Sequence, residues 1–144
     1  MQASRILPDL QASLLCEEIR QEANGNLMLI GVLSVIRVPG LPVAAPKLFI
    51  YNRWTAGVGQ FTETTKIIAP DQTTVVRKGD VKFALQDPNQ STVNVTVFGN
   101  IEFTVPGTYF VEILVDDVMK IRAPLPVIVV PQQGQQPAAP TTSE

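Results

Sequence analysis

The chain has 144 residues, enough for one domain with a normal core, and at 45 % apolar and 17 % charged its composition is globular. Its formal net charge is −2, with eleven scattered Lys and Arg, so no basic stripe exists for nucleic acid. Histidine is absent and Cys16 is the single cysteine, which removes the commonest general base and zinc ligand, any internal disulfide and any multi-cysteine metal site.

Met1 to Leu10 has no apolar run of the kind a secretory signal carries. From Pro8 to Glu22, Asp9 can cap a helix bearing Leu10, Leu14 and Ile19, and propensity leans that way. Read instead as a strand, the same residues hairpin through Asn24-Gly25 onto the next run. That run, Leu27 to Val38, is apolar on both parities and reads as a central strand buried on both faces, or covered on its outer one. It is too short and interrupted to span a bilayer. Pro39 to Pro46 is an apolar loop, suited to covering an open sheet edge or to making an exposed contact.

Lys47 to Thr55 places Leu48, Ile50 and Trp54 on one parity and Phe49 and Tyr51 on the other. Phe61 to Ala69 is Thr-rich and ends at the turn signal Pro70-Asp71. Val81, Phe83 and Leu85 alternate with Lys82, Ala84 and Gln86. Val93, Val95 and Val97 repeat the pattern against Asn94, Thr96 and Phe98, which points the valines inward. Ile101, Phe103 and Val105 continue it after Gly99-Asn100. Pro106-Gly107 leads into Tyr109 to Val115, and Asp116-Asp117 turns the chain into Val118 to Val130. A type I′ turn there requires positive φ at both aspartates. Pro124 and Pro126 demote the last run to an edge strand, or to a strand with a break.

Seven to eight runs at this spacing predict an all-β fold, a two-sheet antiparallel sandwich over residues 7–130. Residues 131–144, rich in Gln and Pro, are expected to be a disordered tail.

Leu15-Cys16-Glu17-Glu18, Asn24-Gly25-Asn26 and Leu29-Ile30-Gly31-Val32-Leu33, closed by Pro106-Gly107-Thr108-Tyr109 and an acidic hairpin turn, resemble a bacterial family of uncharacterised small β-sandwich, immunoglobulin-like proteins. The resemblance implies a strand, not a helix, for Ala12 to Glu22, and it implies no activity, cofactor or site.

Candidate chemistry is sparse. Glu17-Glu18 and Asp116-Asp117 put adjacent carboxylates on opposite faces of a strand, which does not suit acid–base work. Asp71, Asp80, Asp87 and Asp116 are loop carboxylates that could meet at one end and hold calcium, although turn chemistry already explains them. Cys16 lacks a base and reads as a buried thiol. The Asn89-Gln90-Ser91 and Asn94-Val95-Thr96 sequences match the glycosylation pattern, which a chain inside the cell does not use. The aromatic segment stands out: Tyr51, Arg53, Trp54 and Phe61 form the candidate interaction surface, since Trp, Tyr and Arg dominate hot spots.

The expectation is therefore a soluble, cytoplasmic, non-enzymatic interaction or scaffold domain. It has a protein partner, no nucleic acid, membrane, metal or cofactor, and room for homo-oligomerisation. A small-ligand or carbohydrate-binding module and a structural subunit of a larger assembly are the alternatives.

Overall fold

The computed structural model describes residues 5–130; the expected tail at residues 131–144 lies outside them. Nine strands follow in order: β1 (Asp9–Gln21), β2 (Leu27–Leu33), β3 (Ile36–Val38), β4 (Val43–Thr55), β5 (Gly59–Ile68), β6 (Val75–Leu85), β7 (Ser91–Phe103), β8 (Gly107–Val115) and β9 (Val118–Val129). They make a four-stranded sheet, β2-β1-β4-β7, and a five-stranded sheet, β3-β9-β8-β5-β6. No helix occurs among the described residues. The all-β expectation holds, but the described residues form nine strands rather than seven or eight, and β3 runs parallel to β9.

β1 is a strand despite its helical composition because β2 and β4 both pair with it. Its backbone groups are thus satisfied on two sides, and tertiary context overrides propensity. Leu27 to Val38 is not one buried central strand. It divides at Ser34-Val35: β2 is the outer edge of the four-stranded sheet and largely exposed, whereas β3 has crossed to the five-stranded sheet. Only Leu29 and Leu33 are partly buried in β2, Leu33 against the core, and the other apolar residues of the strand stay exposed. Residues 39–42 then link the sheets, with Leu41 against the core, while Val43–Ala45 already belong to β4. β9 lies inside its sheet order, yet β3 pairs only with Val127 to Val129. Pro124 and Pro126 therefore still occupy a stretch with a free side. Asp116 and Asp117 both take positive φ, 46° and 67°, as a type I′ turn demands.

The core joins Leu48, Ile50 and Trp54 of β4 and Phe103 of β7 to Ile67, Val111 and Ile113 of the opposite sheet. At one end Tyr109 donates its hydroxyl to the Val105 carbonyl at 2.8 Å. Its ring meets Phe103 edge-on at 5.0 Å.

In the middle of this core lies a carboxylate. Glu63, on β5, is 1 % exposed. It accepts hydrogen bonds from Trp54 Nε1 (2.6 Å), Asn94 Nδ2 (2.9 Å), Asn52 Nδ2 (3.0 Å) and Thr65 Oγ1 (3.3 Å). Three of these donors come from the facing sheet. Removing a carboxylate from water costs several kcal/mol unless its lone pairs are filled, so the acid dictates which residues of β4 and β7 turn inward. Asn94 stands opposite Asn52 in the register and Thr96 opposite Ile50, and all four point into the sandwich. Val93, Val95 and Val97 consequently point outward, the reverse of the sequence expectation. Inward parity is regained by Ile101 and Phe103 because the chain passes through positive φ (53°) at Asn100.

Glu63→Leu leaves the Trp54 indole and two amides without an acceptor and should destabilise the fold by roughly 3–5 kcal/mol. Glu63→Gln should cost less, about 1–2 kcal/mol. The Asn52 amide can turn its unpartnered Oδ1 toward the new NH2, and the Thr65 hydroxyl can rotate. Urea unfolding of the two variants against wild type checks the ranking; equal losses contradict it.

Candidate functional site

Because Leu48, Ile50, Asn52 and Trp54 face the core, β4 directs Phe49, Tyr51 and Arg53 to the outer face of the four-stranded sheet. The pairing registers extend each of them into a row. Phe49 stands opposite Cys16 on one side and Val97 on the other, and Cys16 in turn opposite Val32. Tyr51 stands between Leu14 and Val95, and Arg53 between Ala12 and Val93. Met28 and Ile30 extend the apolar area along β2, opposite Arg20 and Glu18.

Most of this face is open to water: Val32 is 55 % and Val97 48 % exposed, with Leu14, Met28, Ile30, Val93 and Val95 also exposed. Phe49 and Tyr51 are half-buried by their neighbours. An antiparallel sheet that faces solvent ordinarily carries polar residues on that side. Here charges stand only at the two ends. Arg53 is at one; at the other, Arg20 binds Glu18 at 2.8 Å. That hydrogen bond, with Lys47 assisting, lowers the Glu18 carboxyl below its usual range. Cys16, in the central row, has no exposure, and burial pushes its thiol up.

Of the residues singled out from sequence, Tyr51 and Arg53 lie on this face; Trp54 and Phe61 do not. Trp54 is 0 % and Phe61 3 % exposed. Trp54 stacks on Phe83 at 5.5 Å and donates to Glu63, and Phe61 packs on the same Phe83 ring. Strand alternation is the reason: Trp54 shares the parity of Leu48 and Ile50, so it cannot share a surface with Tyr51. Sequence reasoning missed Leu14, Val32, Phe49 and the three valines of β7. The signal was Asn52, a polar residue at an inward position of β4, which announces a polar partner across the core.

Other clusters do less. Asp71 accepts from Thr73 and Thr74 within its own turn, which holds its carboxyl down to about 2. Asp87 likewise binds Asn89. Asp80 and Asp116 line one groove together with Lys78, but Asp80 is engaged by Thr64, and Asp116 by Thr62 N and Arg5. Burial acts to raise the Asp116 carboxyl, and the Arg5 and Thr62 hydrogen bonds outweigh it, leaving it lowered. Among the described residues no three His, Cys, Asp or Glu side chains gather as a metal site. Asn94, within a glycosylation pattern, is buried. A cleft of about 670 Å³ opens beside the β2–β3 crossover, lined by Glu17, Leu33, Ile36, Arg37, Lys47 and Leu48 among others. Its charges are of both signs, without a convergent set.

A family model described as "Family of unknown function (DUF6941)" matches residues 11–128, from within β1 to within β9. No curated protein matches the chain.

Cys16 supplies a probe of the face. In the native protein it should react with Ellman's reagent far more slowly than in urea. Phe49→Ala, by removing the side chain opposite it, should accelerate the native reaction about tenfold. An unchanged rate in a folded Phe49→Ala variant contradicts this placement of the thiol.

Proposed function

The chain belongs to DUF6941, a family of unknown function, and we propose from its surface that it is a non-enzymatic protein-interaction domain that docks through the outer face of β2-β1-β4-β7. The contiguous apolar rows Val32–Cys16–Phe49–Val97 and Leu14–Tyr51–Val95 carry this reading. Soluble chains rarely leave so large an apolar area to water unless something covers it, and an apolar centre with charges at its rim is how interfaces are built. The chemistry-poor composition, without a single histidine, agrees with a role in contact rather than catalysis. Trp54, the one tryptophan, is buried and offers no exposed ring for a sugar to stack on, which favours the protein-interaction reading over the carbohydrate alternative.

The finer reading of the fold is immunoglobulin-like. In favour of it, β4 and β7 face β9-β8-β5, as strands B and E face G, F and C in that architecture. Tyr109, at the start of β8, bonds back four residues to Val105 like a tyrosine corner. A cytoplasmic setting completes the proposal, supported by the lone thiol at Cys16.

A photo-crosslinking side chain placed at Tyr51 should yield a covalent protein–protein adduct. The same group at Ile121, exposed on β9 of the other sheet, should yield none, and Val95→Asp combined with the position 51 probe should abolish the adduct. Adducts from neither position, or equally from both, overturn the assignment of the face.

A further inference from the structure

Building on that reading, we infer that the partner on this face is a second copy of the chain, stacked sheet against sheet about a two-fold axis. Area is the first argument. Four strands spaced about 4.8 Å apart, read over the rows from Arg53 to Glu18, give a footprint on the order of 400 Å² in projection. Side-chain relief carries its accessible surface toward the roughly 800 Å² per partner that a stable complex buries.

Composition is the second. The middle of the face is aliphatic and aromatic in all four strands, with the Tyr51 hydroxyl as its polar group. Such a surface resembles a core cut in half, the mark of a homodimer rather than of a polar transient interface. Val93, Val95 and Val97 on β7 and Val32 and Ile30 on β2 are β-branched side chains standing off a pleated surface, suited to interdigitation at the ~10 Å spacing of stacked sheets.

Symmetry is the third. Arg53 lies at one end of the rows, and Glu18, Arg20 and Lys47 stand at the other. A two-fold axis in the interface plane lays the apolar rows of one copy over those of the other and keeps these charges at the rim. The contact is isologous and closes at two copies. The apolar side chains of both copies then leave water together, and Phe49 and Tyr51 lie at the centre, where interface energy concentrates.

Sedimentation and light scattering of the full chain at micromolar concentration should report twice the 15.7 kDa chain mass. Val95→Lys should halve that mass with the circular dichroism and thermal transition of a folded protein, and Ile121→Lys should leave the dimer intact. Should Val95→Lys fail to fold, Val97→Lys is read in its place. Amide exchange of wild type at high and low concentration tests the same face without mutation, with slower exchange in β2, β4 and β7 expected at the higher one. A wild-type monomer at 100-fold dilution and at high concentration alike overturns the inference, as does a dimer indifferent to both lysine variants. In the first case an adduct at position 51 with a different protein leaves the docking face standing, so the two readings fail separately.

Discussion

The Glu63 carboxylate, closed inside the sandwich, is the constraint on which the other features rest. Its four donors are drawn from both sheets, and each fixes the parity of the strand that bears it. Side chains alternate with period two, so a one-residue slip of β7 would carry Asn94 and Thr96 outward and leave the acid short of a donor. The same slip would bring the valines at 93, 95 and 97 inside but carry Phe98, Ile101 and Phe103 out of the core. The buried acid and these apolar side chains therefore demand the same register. The apolar outer face is the other side of that choice: with Asn52, Asn94 and Thr96 held inward, Phe49, Tyr51 and the valines have only the outer surface.

The two long sides of the sandwich are closed differently, and this places the face. Where β6 meets β7, Gly79 leaves room for the Phe98 ring, which an added Cβ would approach to 3.2 Å. Arg77 covers the same ring and donates to the Gly99 carbonyl at 2.8 Å. That side is sealed. On the opposite side β2 is largely exposed, and the crossover at Ser34-Val35 leaves the mixed-charge cleft beside it. β2 thus gains little from the interior and presents its residues outward, continuous with β1, β4 and β7. Gly31, at positive φ (68°) with the Glu17 side chain packed close over it, bends this edge at its middle. An irregular edge is a poor template for another strand, which favours the flat of the sheet over its rim as the place of contact.

Much of the architecture was legible in the sequence because it depends on local signals. Pro106-Gly107, Asp116-Asp117 and Asn24-Gly25 announced their turns, and the alternation in β6 and the apolar second half of β8 announced half-buried strands. Features set by distant partners were not legible. β1 is helical by composition and a strand only because two neighbours pair with it. β7 alternates cleanly, but period two says that one face is buried without saying which, and larger apolar residues are the usual guide. At Val93 to Val97 that guide gave the wrong face, because Glu63 lies some thirty residues away in sequence and nothing local links it to Asn94. The same gap explains the site. Tyr51 and Arg53 were found from residue type, whereas Trp54 was included although its parity with Ile50 already placed it inside.

A buried polar cluster and an exposed apolar face are each unfavourable alone, and together they are coherent. A core of Val93, Val95 and Val97 with Glu63 replaced by an apolar residue would be the simpler solution for an isolated sandwich, since buried acids seldom add net stability over well-packed hydrophobic groups. The observed arrangement gives up part of that stability and directs aromatic and β-branched side chains to the surface in ordered rows. The cost is recovered only if those rows are themselves buried, at roughly 25 cal/mol for each Å² of apolar surface removed from water. On the proposed reading the fold is completed by what covers the sheet, and the acid in the core and the contact on the outside are then two parts of one physical design.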